Sequence, residues 1–518
     1  MSGEYVLVVD QGTTGTRAVL VDSSGAPLER SWSYVEHRQI YPKPGWVEHD
    51  PEEIWSCVKL VVRECIERSG VDPRKIVAMA VTNQRETIVA WDPRSGRPLY
   101  NAIVWQCRRS APLLERVRSF EKLVRERTGL VLDPYFSASK IWWLLENVEG
   151  LRQRAERGEA VFGTIDSWIV WRATRGSRDV ETPEMGGAFV TDYSNASRTM
   201  LFDIRRLDWS DDLLEIFGRI PRHSLPLPMP SAHCYGYLGP EMERVVGASI
   251  PICAAVGDQQ AALFGQACFS RGLAKATLGT GTFVLMSTGS DIVLSRSGLL
   301  TTVFYSLERK RASYALEGSI FATGAVIKWL IEGLGIVSRP EEVDELAASV
   351  RDSEGVYLVP ALTGLGAPYW DPYARGLIIG ITRSSTRAHV VRAALESAAF
   401  MVRDVLEAMA RDAGCGIEEL RIDGGAARSR VLPKLVADLA GVRVVKPRFL
   451  ETTSLGAAYL AGIAAGIWRG VSEIEKLWRA SEVIEPSMSE EERRARYEAW
   501  REAVRRCMGW ARATPWIS

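Results

Sequence analysis

Apolar residues open the chain in short continuous runs. Tyr5–Val9 has strand length and no alternation, which predicts a strand buried on both faces. Arg17–Val21 resumes a strand, so Asp10–Thr16 is a tight connection between neighbours. Ile54–Arg68 reads as a helix, Ile76–Thr82 as another buried strand, and Thr87–Trp91 as a further strand before the turn Asp92–Gly96. This alternation predicts an α/β fold. The clearest helix is His389–Arg411, where Val391, Ala394, Ala398, Met401, Val405 and Met409 recur at helical spacing. Arg392/Glu396, Arg403/Glu407 and Glu407/Arg411 form i,i+4 pairs on its polar side. Pro221–Pro230 and Pro360–Pro372 interrupt the periodicity as ordered loops. A second strand cluster is expected to begin near Ile252. Ala274–Met286 then reads as strand, glycine turn and strand, echoing Val6–Val21 and predicting two domains of similar design.

Composition narrows the class. The chain has 518 residues, enough for two or more domains, and 64 basic side chains balance 64 acidic ones. Zero net charge gives no electrostatic reason to expect nucleic acid or an anionic membrane as a partner. The Gly- and Ala-rich run Leu455–Trp468 is too short to span a bilayer and reads as a closely packed internal helix. Met1–Glu4 carries no targeting signal. Eight cysteines without a C-x-x-C pair suggest neither a zinc knuckle nor a disulfide framework, and a reducing cytoplasm is expected. The five histidines show no metal-ligand spacing, and His389, at the start of the long helix, is read as solvated or capping.

The chemistry lies in glycine turns. A Walker A loop is excluded because no Gly-Lys dipeptide occurs, and Gly12-Thr13-Thr14-Gly15 lacks the G-x-G-x-x-G spacing. No H-E-x-x-H, G-x-S-x-G or H-R-D motif is present. What remains is Asp10-Gln11-Gly12-Thr13-Thr14-Gly15-Thr16-Arg17, an acid at the end of a buried strand followed by a Gly/Thr turn and a cation. Glycines admit an anion to the backbone amides, threonine hydroxyls donate, and Arg17 neutralises charge. Asp10 is suited to Mg²⁺, which takes few carboxylates. Leu278-Gly279-Thr280-Gly281-Thr282-Phe283 repeats this chemistry, and Ile422-Asp423-Gly424-Gly425 ends a third strand in two glycines.

Three such turns in series resemble the actin-like ATPase superfamily. The likeness narrows on Tyr41–Asp50, Thr82-Asn83-Gln84-Arg85-Glu86-Thr87, Trp105–Arg109, Asp133–Ser137, Gly257–Gly265 and Gly364–Pro372, which are similar to the glycerol kinases of the FGGY carbohydrate-kinase family. This resemblance runs from the first strand to about Trp468. It implies two α/β domains of the ribonuclease-H-like, actin-type design, residues 1–263 and 264–518, with the cleft between them binding glycerol and Mg-ATP. It places Arg85, Glu86, Trp105, Tyr135, Asp258, Gln259 and Phe283 on glycerol, with Asp258 the general base and a Mg²⁺ ligand beside Asp10. Thr13, Thr14, Gly15, Arg17, Thr280, Gly324, Lys328, Gly425 and Ser429 fall on the nucleotide side.

The chain departs from the common bacterial pattern in places. Gly15 stands where serine is frequent, Lys328 where glutamine is, and Ser429 where asparagine is. Ser177–Phe189 looks like an insertion. Many bacterial glycerol kinases bind fructose 1,6-bisphosphate at a Gly-Lys-Gly-Gly-x-Arg loop, and Gly239-Pro240-Glu241-Met242-Glu243-Arg244 stands here instead. Two alternatives stay open: a related sugar or polyol kinase with a larger pocket, and a non-catalytic actin-like or chaperone-type ATPase. A homo-oligomer, dimer or tetramer, is the expected assembly.

Overall fold

The computed structural model describes residues 3–513. Strands β1 (Tyr5–Gln11) and β2 (Gly15–Asp22) form a hairpin whose turn is only Gly12–Thr14, so the strands run further than the hydrophobic pattern indicated. After β3 (Ser33–Glu36), helix α1 (Pro51–Ser69) is started by the Asp50 carboxylate, which accepts from the Glu52 amide, and by Pro51 in the first turn. Gly70, at φ 63°, ends it. Strands β4 (Ile76–Asn83), β5 (Ala232–Tyr237) and β6 (Pro251–Gly257) complete a six-stranded sheet in the order β5-β6-β4-β1-β2-β3. The strand near Ile252 therefore belongs to the first sheet, paired parallel to β4, and does not open the second cluster. Helix α2 (Asp258–Gly265) follows it directly.

The second sheet contains β7 (Ala274–Leu278), β8 (Thr282–Gly289), β9 (Leu300–Glu308) and β10 (Arg311–Ile320). The long helix α3 (Arg387–Ala413) precedes β11 (Glu419–Asp423) and β12 (Arg443–Pro447). Helix α4 (Thr452–Ala464) and β13 (Ala480–Ile484) follow, and the sheet order is β9-β10-β8-β7-β11-β12-β13. The internal echo is real at the level of topology. In the first sheet β1 pairs antiparallel with β2 and parallel with β4; in the second β7 pairs antiparallel with β8 and parallel with β11.

Packing explains several sequence features. A Cβ on Gly456 of α4 would lie 1.8 Å from the Ala261 carbonyl of α2, and one on Gly265 would lie 2.0 Å from that of Thr452. Only glycine permits this backbone contact, which seats α4 against the first sheet beside Val6, Val8 and Val256. The capping reading of His389 holds: its Nδ1 accepts from the Thr386 amide at 3.0 Å. Glu396, expected on the polar side of α3, is instead buried, bonded by Arg392 at 2.9 Å and by the Ser353 hydroxyl at 2.8 Å. A carboxylate with two such partners can leave water.

Two further findings correct or extend the sequence reading. Cys234 and Cys253 form a disulfide across β5 and β6, contrary to the expectation of none. They are 19 residues apart and meet only because an antiparallel pair brings them opposite, which cysteine spacing does not reveal. The segment 177–189 lies along β5, where Val180 bridges Gly236 and the Glu181 and Tyr237 amides bond across. It covers the free edge of the first sheet, a structural task that removes unpaired backbone groups from solvent.

Candidate active site

The two Gly/Thr turns are built alike. The Gly12 amide bonds the Gly15 carbonyl and the Gly279 amide bonds the Gly281 carbonyl, both at 2.9 Å. Thr14 and Thr280 stand exposed at the tips. A Cβ on Gly15 would sit 2.6 Å from both the Tyr34 hydroxyl and the Val35 carbonyl, which accounts for glycine at this position. Gly324 approaches the second turn so closely that a Cβ would lie 2.8 Å from the Gly279 carbonyl. Arg17 Nε lies 3.6 Å from the Asp10 carboxylate at the mouth of the first turn. Burial raises the Asp10 pKa; Arg17 opposes this and the charge of Asp258 adds to it.

Gly425 and Ser429 line a cavity of about 700 Å³ together with Ile327, Asp344 and Leu395. The Ser429 hydroxyl donates to Asp344 at 2.6 Å and accepts from the Leu432 amide. Lys328 is not on this wall; its exposed ammonium lies 3.7 Å from Glu332.

The residues expected to hold glycerol converge where β4 and β6 end and β8 begins. Glu86 follows β4 with φ 64°, a left-handed conformation that is strained for a side chain of this size. Asp258 opens α2, where the helix N-terminus favours a carboxylate. Its Oδ1 accepts from the Gln259 amide at 2.7 Å and pairs ionically with Arg85, whose Nε lies 3.1 Å away, while among the described residues no hydrogen bond reaches Oδ2. Trp105 and Tyr135 meet edge to face at 5.5 Å, Phe283 closes the wall at 6.5 Å from Trp105, and the Arg85 guanidinium lies over Phe283. The Trp105 indole N–H donates to the Thr13 hydroxyl at 2.9 Å, which ties this aromatic wall to the first Gly/Thr turn.

Arg85 and Glu86, adjacent in sequence, have different partners. Both Arg85 Nη atoms reach Glu317, at 2.5 and 3.0 Å, whereas Glu86 takes Arg198 Nε at 2.6 Å. Burial raises the Glu86 pKa and would raise that of Glu317, but Arg198 and Arg85 hold Glu317 down at about 2. Lys275 on β7 is also fully buried. It donates to Gln259 Oε1 at 2.5 Å and to Thr277, which in turn donates to Asp423, and burial lowers its pKa to about 8. Lys140 holds the Tyr135 and Phe136 carbonyls from below at 2.5 and 3.0 Å. Sequence reading missed Glu317, Arg198, Lys275 and Lys140. The available signal was a charge inside an apolar strand in two cases, Tyr314–Ile320 and Ala274–Leu278.

A two-domain α/β kinase fold and its cleft are thus defined, and comparison with known proteins agrees. The N-terminal domain of the FGGY family of carbohydrate kinases matches residues 5–265 and the C-terminal domain residues 274–465. The chain belongs to this family. It is 52% identical to glycerol kinase 2 of Thermotoga maritima, over 98% of this chain and 99% of that one. It is 50% identical to glycerol kinase 1 of Saccharolobus solfataricus, over 99% and 98%. Among solved structures, Plasmodium falciparum glycerol kinase with ADP superposes with a TM-score of 0.88 at 34% identity, covering 98% of each chain. A gluconate kinase from Lactobacillus acidophilus shares the fold, with a TM-score of 0.84 at 22% identity.

Proposed function

We propose that this protein transfers the γ-phosphoryl group of ATP to glycerol, giving sn-glycerol 3-phosphate. The observation that carries the reading is the open Oδ2 of Asp258, whose carboxylate pairs with Arg85 beside Phe283 and bears electrostatically on Asp10 at the first turn. A small triol satisfies Arg85 and Glu86 with its hydroxyls and rests its carbons on Trp105 and Phe283. Asp258 Oδ2 accepts the proton of the attacking hydroxyl, and the oxygen it bares bonds to the γ-phosphorus as the bond to ADP breaks. Turn amides, Thr14, Thr280 and Arg17 take the phosphate charge. The two carboxylates Asp10 and Asp258 suit Mg²⁺: the charge of Asp258 bears on buried Asp10, and a cation relieves both. When bound, the ion neutralises phosphate charge.

The first phosphate turn and glycerol site belong on this reading to residues 1–263, and the second turn and adenosine site to 264–518. We assign the reaction to the cytoplasm, where ATP is supplied; among the described residues no helix is long and apolar enough to cross a membrane. A dimer or tetramer remains the expected assembly, to be checked by light scattering.

Two outcomes test the proposal. ADP release, measured in a coupled assay, should rise with glycerol and scarcely with pentoses or hexoses. Equal or better turnover of a pentulose would overturn the glycerol assignment. Activity should also stay flat as fructose 1,6-bisphosphate is titrated into the millimolar range. Residues 240–246 form a short helix with Pro240 in its first turn, and Glu241 is held by Lys59 at 2.7 Å. Clustered amides and cations for a bisphosphate are missing from that helix. Saturable inhibition abolished by Arg244→Ala would contradict this.

A further inference from the structure

Glu317 lies on β10, in the second sheet, yet its carboxylate serves the polyol site of the first half. Along β10 side chains alternate: Leu316 and Ile320 face the core of the second half, and Ala315 packs with the first sheet. Glu317 shares the face of Ala315 and is fully buried. Its two oxygens receive the fork of Arg85 at 2.5 and 3.0 Å, Arg198 Nη2 at 3.0 Å and the Ser319 hydroxyl at 3.2 Å.

This arrangement leaves Arg85 little freedom. With both Nη atoms on Glu317, its Nε is the edge turned to Asp258, at 3.1 Å. Arg198, fully buried, joins Glu317 to Glu86 through Nη2 and Nε, which fixes the Glu86 carboxylate as well. An arginine beside three carboxylates has several pairings open to it, and a bidentate fork selects one. The rigid strand holding Glu317 makes the selection.

We infer that Glu317 is a positioning residue: from the second half of the chain it fixes Arg85, and through Arg198 Glu86, in the orientation that receives glycerol beside Asp258. This rests on the proposed glycerol kinase activity. Without the Glu317 charge the Arg85 fork is free to swing onto Asp258 or Glu86 and occupy the acceptors meant for substrate.

The test is the kinetics of Glu317→Gln and Glu317→Asp, with folding checked by circular dichroism. Glu317→Gln removes the charge at nearly constant shape; Glu317→Asp keeps it and withdraws it by one methylene. Glycerol KM should rise at least about 10-fold in Glu317→Gln, with a fall in kcat, and the KM for ATP should stay within about twofold. Glu317→Asp should show the same pattern more weakly, and it supplies the answer if Glu317→Gln does not fold. A purely structural residue would lower the folded fraction, and hence Vmax, while the surviving molecules kept the wild-type glycerol KM. Wild-type glycerol KM in whichever variants fold overturns the inference alone. Absence of glycerol turnover by the unmodified protein counts instead against the proposed function.

Discussion

Replacing Asp258 with Asn is expected to cut kcat by about 10²–10⁴-fold while glycerol still binds. The asparagine side chain has the same shape, and its oxygen can still accept from the Gln259 amide, although the ion pair with Arg85 loses its negative partner. What it cannot do is take a proton at the position of Oδ2. On the proposed reading binding rests mainly on Arg85, Glu86 and the aromatic wall, none of which is removed. Steady-state kcat and calorimetric glycerol binding separate the two effects. Near-normal kcat would show that the hydroxyl proton leaves by another route.

Arg85→Ala should be costly in both stability and activity. Losing a charged hydrogen bond to substrate is worth about 1.5–3 kcal/mol, or roughly 10–150-fold in kcat/KM. The structure adds a second cost, because Arg85 is buried against Glu317. Breaking a buried pair from one side costs about 3–5 kcal/mol, and Arg198, which stays on Glu317, sets the expectation at the lower end. Urea denaturation measures it directly. The pH dependence has a definite sign. Folding holds the Glu317 pKa at about 2, below its ordinary 4.5, so its contribution is fully present above 4.5 and lost as pH falls toward 2. That loss should shrink in Arg85→Ala. An unchanged urea midpoint and unchanged glycerol kinetics would move Arg85 out of the site.

The two Gly/Thr turns were legible in sequence because each is local: a single hairpin, 5–22 or 274–289, holds strand, glycines, threonines and strand, and the fold preserves their order. Asp258 entered through the family resemblance, and its place where a buried strand meets a helix is equally local. The supporting ions were not. Arg85 and Glu317 are 232 residues apart, and no periodicity links them. The adjacent Arg85 and Glu86 suggested a joint role, but the backbone at Glu86 gives each side chain its own partner. The strand near Ile252 was misassigned because apolar runs of equal length do not say which sheet they join. Glu396 misled in the opposite way: an i,i+4 ion pair resembles a solvated helix face until Ser353 from another segment covers it.

The crowding at Gly15 also bears on how this site could change over generations. Of the two atoms a side chain there would strike, the Tyr34 hydroxyl belongs to a movable side chain, but the Val35 carbonyl belongs to the backbone of β3. Trimming Tyr34 therefore would not make room for the serine frequent elsewhere; the paired strand itself would have to retreat from β2. Glycine at this position is entrenched. Accepting serine requires coordinated changes along β3, so the single substitution alone would strain the hairpin.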